Sequence, residues 1–273
     1  AVHDRRRGVD EPPAAHVGAD AVLVVDPYYN GPSSMEIRRE YIEPVAREFP
    51  QMQVLPYIIP GRTGCMMQVE DLAMLAAQYP NVAQVKEATG DLQNMAKTRR
   101  VCGDDFTIFS GDDDKTVAMM KDPNIKAAGV VSVMSNIIPG PLQKLTELLN
   151  AGQEDEADEL AAKLNPLFGM VGVTTIEESP YGSVECKSRN PVPVKTLMNI
   201  LGMPSGPCRQ PLGKMTRSGA QVIIDAAKHV QASDPAIFAP IAEFFDVDID
   251  VTGSGDQENE HEHEHEATQT QHE

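Results

Sequence analysis

The sequence predicts an α/β fold built on a parallel sheet. Three observations point there. Five short apolar runs recur along the chain, each is followed by a stretch of helical periodicity, and the runs are nearly continuous in aliphatic and β-branched residues. Repeated strand-then-helix order implies βα units. Unbroken apolar runs imply strands covered on both faces rather than one.

The elements follow in order. The expected strands are Ala21 to Val25, Gln53 to Ile59, Val82 to Lys86, Phe106 to Phe109 and Ala127 to Val133. Ser33 and Glu36 have capping-box spacing ahead of a helix running to about Phe49, with Ile37, Tyr41, Ile42, Val45 and Phe49 on one face. Asp91 is placed to cap a helix through Arg100. Pro139 and Pro141 open a segment ending at Ala151, where Gly152 can stop it. Gln153 to Leu164 reads as a helix with acids in its first turns, where the helix dipole favours them. Val194 to Leu201 and Ser218 to Val230 read as the last two helices.

The chain has 273 residues, enough for one large domain or two small ones. It contains no Trp and few aromatics, so the core must rest on Val, Ile, Leu, Met and Ala. The net charge of −18 argues against nucleic acid as a partner, because that affinity comes from cationic contacts to phosphate. It argues equally against an anionic membrane surface, and no stretch approaches the length of an apolar membrane span. Cys65, Cys102, Cys186 and Cys208 form no CxxC pair and have no His at ligand spacing, so they read as reduced thiols of a cytoplasmic protein with no metal site.

The expected organisation is an irregular segment over 1–17, a sheet-and-helix region over 18–150, a helical region over 151–231, an extension over 232–252, and a polar tail over 253–273. The tail alternates Glu and His. It is expected to be disordered, and His261, His263 and His265 could bind a transition metal weakly.

Four groups could carry chemistry. Lys86 ends an apolar run, and a lysine at the C-terminal end of a buried parallel strand faces the end of the sheet where α/β sites form. Burial lowers an ammonium pKa and frees the amine to attack a carbonyl; the alternative is a strand-end lysine reaching out to solvent. Arg62, in Pro60-Gly61-Arg62-Thr63-Gly64 after the second strand, is suited to a carboxylate, or is a surface-loop arginine. Tyr28, Tyr29 and Tyr57 lie at strand ends, where phenols can relay protons or pack amphipathically. Ser110-Gly111-Asp112-Asp113 offers open backbone to a ligand, or an ordinary turn into a helix. All four groups fall at the same end of consecutive strands.

These strings resemble the dihydrodipicolinate synthase family of pyruvate-dependent class I aldolases. The resemblance rests on Pro27-Tyr28-Tyr29-Asn30, Tyr57 with Pro60 to Cys65, Lys86-Glu87-Ala88-Thr89-Gly90, Ser110 to Asp113, Gly129 to Val133, and Asn190-Pro191-Val192-Pro193-Val194-Lys195. It implies a (β/α)8 TIM barrel. The family's earlier units, including a Gly-Thr-Thr-Gly-Glu loop, have no counterpart in these residues. The expectation is therefore an incomplete barrel of about the last five βα units, followed by a C-terminal helical region. Asp26 stands where the family usually has Thr, and Ile58 where Asn is usual.

The resemblance also implies roles. Lys86 looks like the Schiff-base lysine, Tyr57 like a proton-shuttling phenol, and Arg62 like the holder of an aldehyde's carboxylate. Tyr29 looks like a tyrosine lent across a dimer interface, and Gly111 and Val131 like backbone bordering bound pyruvate. The implied substrates are pyruvate and aspartate semialdehyde, with no cofactor beyond the covalent imine, in a homo-oligomer (dimer or tetramer). The alternatives are another pyruvate-dependent aldolase, or a truncated non-catalytic paralogue that packs against a complete homologue.

Overall fold

A computed structural model of the protein describes residues 18–249 and 251. The segment 1–17 and the Glu/His tail, with His261, His263 and His265, lie outside the described residues. The main sheet holds five parallel strands in chain order: β1 Ala21–Val25, β2 Gln53–Ile58, β3 Gln84–Glu87, β4 Thr107–Ser110 and β5 Gly129–Val130. Between them run α1 (a first turn Ser34–Glu36, a π-helical stretch Ile37–Ile42, then Glu43–Glu48), the short α2 Pro60–Thr63, α3 Val69–Gln78, α4 Leu92–Cys102 and α5 Thr116–Lys121. The expected five βα units are therefore present, and among the described residues β1 and β5 do not pair with each other.

Helices cover one face of this sheet. Ile37, Ile42, Val54, Leu72, Leu75, Val85, Met95 and Ile108 form the core between the two layers. Each such side chain, fully buried, contributes about 1.5–3 kcal/mol. The other face differs from expectation. Leu23 is 47% and Val25 38% exposed, and β1, β2 and β4 alternate in burial instead of being covered on both sides. The apolar runs encode two covered faces, but no second layer lies over this one among the described residues.

Local signals hold closely. Ser33 and Glu36 make the reciprocal capping box, Asp91 accepts from the N–H groups of Gln93 and Asn94, and Gly152 takes φ +72° just past the helix it ends. The π-helical stretch alters the predicted face of α1. It turns Arg38 inward beside Ile37 and Ile42, where Asp71 and Glu43 hold the guanidinium at 2.7 and 2.6 Å. β5 is far shorter than predicted because the N–H groups of Val133 and Met134 leave the sheet and donate to the Asp113 carboxylate. Arg99 ties α4 to the entries of β4 and β5 by donating to the carbonyls of Gly103, Asp104, Phe106, Ile125 and Lys126.

Beyond β5 the chain builds α6 Pro139–Asn150, α7 Glu154–Phe168, α8 Val192–Ile200, α9 Arg217–Ser233 and α10 Ala239–Phe245 around a second core that includes Leu145, Leu164, Leu197 and Ile223. Helix α7 runs past its predicted end and through Pro166, because Leu164, Leu167 and Phe168 are all buried there and their packing outweighs one lost hydrogen bond. The wholly helical C-terminal region needs correcting. Strands β6 Gly172–Ser179 and β7 Gly182–Arg189 form an antiparallel hairpin between α7 and α8. Its Thr, Val and Ile content about a Ser-Pro-Tyr-Gly turn was a readable signal.

Asp26, just past β1, turns to the helix side and is fully buried. Its Oδ2 accepts from the N–H of Met67 at 3.0 Å, while Oδ1 has no partner among the described residues. Burial raises its pKa from 3.8 to about 6, opposed by that one backbone donor. A carboxyl easier to protonate in the fold than in the open chain stabilises the fold below pH 4 and loses that contribution as pH rises through about 6. The stability difference between the wild type and Asp26→Asn is therefore expected to shift against the wild type over that window, by about 3 kcal/mol. Urea unfolding at stepped pH measures it, and a pH-independent difference would contradict the assignment.

Candidate active site

Parallel register builds the site. Val25 pairs with Tyr57, Tyr57 with Lys86, Lys86 with Phe109, and Phe109 with Gly129, so these five share one row on the uncovered face. Gly111 and Val131 lie two residues further along β4 and β5 and so point to the same side. Sheet hydrogen bonding continues past the strand ends, from Ala88 N–H to Ile58 C=O, Gly111 N–H to Glu87 C=O, and Val131 N–H to Ser110 C=O. The backbone at the C-terminal end of the sheet is thereby fixed.

Lys86 is 7% exposed, with Nζ 4.0 Å from the centre of the Tyr57 ring. A Cβ built on Gly111 would lie 3.1 Å from Lys86 Cε and 2.7 Å from Ala88 Cβ, so a side chain at 111 would push the lysine aside. The glycine serves close approach. Burial lowers the Lys86 pKa, and the carboxylates of Asp112 and Asp113 partly counter it. Burial raises the Tyr57 pKa, Asp112 raises it further, and Arg62 lowers it. Asp112 thus acts on both the amine and the phenol. Its own carboxyl is raised, first by burial and then by Asp114.

The neighbouring acids have different tasks. Glu87 points to the helix side, buried, accepting from Thr89 N–H at 2.7 Å and Asn94 Nδ2 at 3.2 Å. Asp113 anchors the backbone of Val133 and Met134 through Oδ2, and its Oδ1 has no partner among the described residues. Sequence alone shows Ser110 to Asp113 as open backbone or a turn, and the charge that Asp112 sets at Lys86 emerges only in the fold. Its signal was the run of acids directly after the β4 glycine.

Arg62 sits in α2, exposed, at the rim. Its guanidinium donates to Asn190 C=O at 3.2 Å, while Arg189 donates to Gly61 C=O at 2.9 Å. This reciprocal clamp joins two segments 128 residues apart, which sequence spacing could not announce. Tyr28 and Tyr29 are not brought to Lys86: they are 75% and 93% exposed, and Tyr29 is held at φ +76°, a conformation that costs a non-glycine residue energy. Among the described residues, no group of three His, Cys, Asp or Glu side chains could hold a metal ion, and the four cysteines are free. Among the described residues one cleft lies beside Arg99, Arg100 and Lys126, and another runs along β5, lined by Phe109, Gly129 and Leu142.

A desolvated amine, a phenol against it and an exposed guanidinium at the rim can together attack a carbonyl, move a proton and hold an anion.

The model of the dihydrodipicolinate synthetase family matches residues 12–230. The 4-hydroxy-tetrahydrodipicolinate synthase of Methanococcus maripaludis is 35% identical over 205 residues, covering 75% of this chain and 64% of its own. That of a Cyanothece species is 35% identical over 199 residues, covering 73% and 61%. Among solved structures, the 4-hydroxy-tetrahydrodipicolinate synthase from Methylacidiphilum fumariolicum aligns with a TM-score of 0.72 at 29% identity, covering 84% of this chain and 69% of its own. The enzyme from Cyanidioschyzon merolae with lysine bound aligns at 0.69 and 32% identity, covering 80% and 67%. The chain thus spans a little under two thirds of the length of these two curated relatives. With four fifths of its residues inside one family model, the chain belongs to the dihydrodipicolinate synthetase family.

Proposed function

We propose that this chain carries the lysine-centred site of a 4-hydroxy-tetrahydrodipicolinate synthase. That enzyme condenses pyruvate with aspartate semialdehyde in lysine biosynthesis. The observation that carries the reading is Lys86, a nearly buried amine at a strand's C-terminal end, its basicity lowered by burial and its Nζ set against a phenol.

In this reading the neutral Lys86 amine attacks the pyruvate carbonyl carbon. Water leaves as the imine forms, with Tyr57 carrying the proton. Loss of a methyl proton gives an enamine, which attacks the aldehyde carbon of aspartate semialdehyde. The adduct's own amine then displaces Lys86 and closes the ring. The protonated imine is the electron sink, so the chemistry calls for no metal or other cofactor. Arg62 binds the aldehyde's carboxylate, and Gly111 and Val131 border the bound pyruvate. Tyr29, an exposed aromatic in a costly backbone conformation, is suited to reach a neighbouring subunit in a cytoplasmic homo-oligomer.

Intact mass after incubation with pyruvate and borohydride tests the first step. One pyruvate-derived adduct, absent from Lys86→Ala, is expected; a folded sample without adduct would remove the catalytic reading and favour a non-catalytic paralogue.

Asp112 raises the Lys86 pKa, so Asp112→Asn lowers it and leaves more free amine at a given pH. The rising limb of adduct formation against pH is expected to move to lower pH. A limb that stays put or moves up contradicts the role given to Asp112.

Arg62→Ala is expected to reduce kcat/KM for carboxylated aldehydes about a hundredfold while sparing adduct formation with pyruvate. Equal loss for uncarboxylated aldehydes would instead favour a different pyruvate-dependent aldolase.

A further inference from the structure

The hairpin β6–β7 supplies no reacting group to the chemistry above, and among the described residues it leaves one strand edge bare. Among the described residues, its two eight-residue strands join no other sheet. The β6 side is held to the body of the protein, with Val173 in the core and Ser218 of α9 hydrogen-bonded to Glu177. Among the described residues, the outer edge of β7 has no such cover.

The backbone direction of that edge can be read off. One residue past β7, Asn190 N–H donates to Val171 C=O, on the β6 side. Hydrogen-bonding direction alternates along an antiparallel strand, so Ser188, Cys186 and Val184 also turn to β6. Ser183, Glu185, Lys187 and Arg189 therefore turn their N–H and C=O groups outward. Among the described residues, the backbone groups of Ser183, Glu185 and Lys187 make no hydrogen bond outside the hairpin.

A bare edge is a template for another strand, and proteins commonly blunt it with proline, a bulge or a lone lysine. β7 contains no proline, and its pairing runs unbroken from Gly172–Arg189 to Ser179–Gly182. Its lysine is answered by an acid two residues earlier on the same exposed face.

We propose that the outer edge of β7 pairs antiparallel with the same edge of a second copy of this chain, centred on Cys186. In that register Glu185 faces Lys187 of the other copy, and Lys187 faces its Glu185. Both belong to the outward-turned set, so these are the hydrogen-bonded pairs, and Cys186 meets its own copy at a non-hydrogen-bonded position. Neighbouring registers are worse. Centring on Glu185 or Lys187 sets that charge against itself, centring on Ser188 sets Lys187 against Arg189, and centring on Val184 leaves both charges unanswered. Charge thus selects the symmetric register that the backbone direction permits. The edge runs at its base into the Arg189 and Asn190 contacts that hold the Arg62 loop, so pairing reaches one rim of the active site.

Sedimentation equilibrium of the full chain at low ionic strength, over a concentration series, tests this. The wild type is expected to self-associate. Glu185→Lys and Lys187→Glu each set like charges opposite one another and are expected to raise the dimer dissociation constant about tenfold or more. The double variant Glu185→Lys/Lys187→Glu restores complementarity and is expected to restore association. Non-hydrogen-bonded partners lie about 4.5 Å apart at Cα, within disulfide range. Mild copper–phenanthroline oxidation is accordingly expected to yield a covalent dimer that Cys186→Ser abolishes. The proposal is overturned by a monomeric wild type, by single variants that associate as the wild type does, or by a crosslink through another cysteine. None of these readouts depends on the reaction proposed for Lys86.

Discussion

The structure turns on the desolvation of one amine. Lys86 loses water because parallel register sets it between Tyr57 and Phe109, and because Gly111 lets the next strand approach its side chain. A different register would put Lys86 against other neighbours, and a side chain at 111 would push it out. The lowered basicity follows from that position, since burial penalises the charged form more than Asp112 and Asp113 restore it. The strands, the helices behind them and the glycine all act through this one local environment.

Acidic residues divide their work around that amine. Glu87 and Asp113 are buried; both oxygens of Glu87 and one of Asp113 accept from backbone and amide donors, which fixes the turns after β3 and β4. Asp112 bonds through its backbone carbonyl, and among the described residues its carboxylate hydrogen-bonds no neighbour, so its charge acts at a distance on Lys86 and Tyr57. Asp26 stands behind the sheet with one oxygen unsatisfied, a cost consistent with its raised pKa. Runs of like acids carry different tasks here because strand alternation sends neighbours to opposite faces.

The rim is built from distant sequence. Arg62 belongs to the loop after β2, yet its position is set by the base of the hairpin through paired arginine–carbonyl contacts. An exposed guanidinium on a short helix would otherwise sample many rotamers, and two anchors reduce that freedom. The hairpin therefore couples a surface of the protein to the edge of its site.

The sequence by itself determined the strand-and-helix order, the capping residues Ser33 and Asp91, the stop at Gly152, and Lys86 as the residue to watch. Each of these is a short-range property, carried by periodicity, cap chemistry or a charge at the end of an apolar run. Only the tertiary structure decided which face of the sheet stays open, because apolar runs do not record whether a covering layer is present. It also decided the π-helical turn that buries Arg38, the early end of β5 at Asp113, the passage of α7 through Pro166, and the field of Asp112 at Lys86. The Arg62–Asn190 and Arg189–Gly61 contacts join residues 128 positions apart, and contacts at that separation are set by packing rather than by any local pattern.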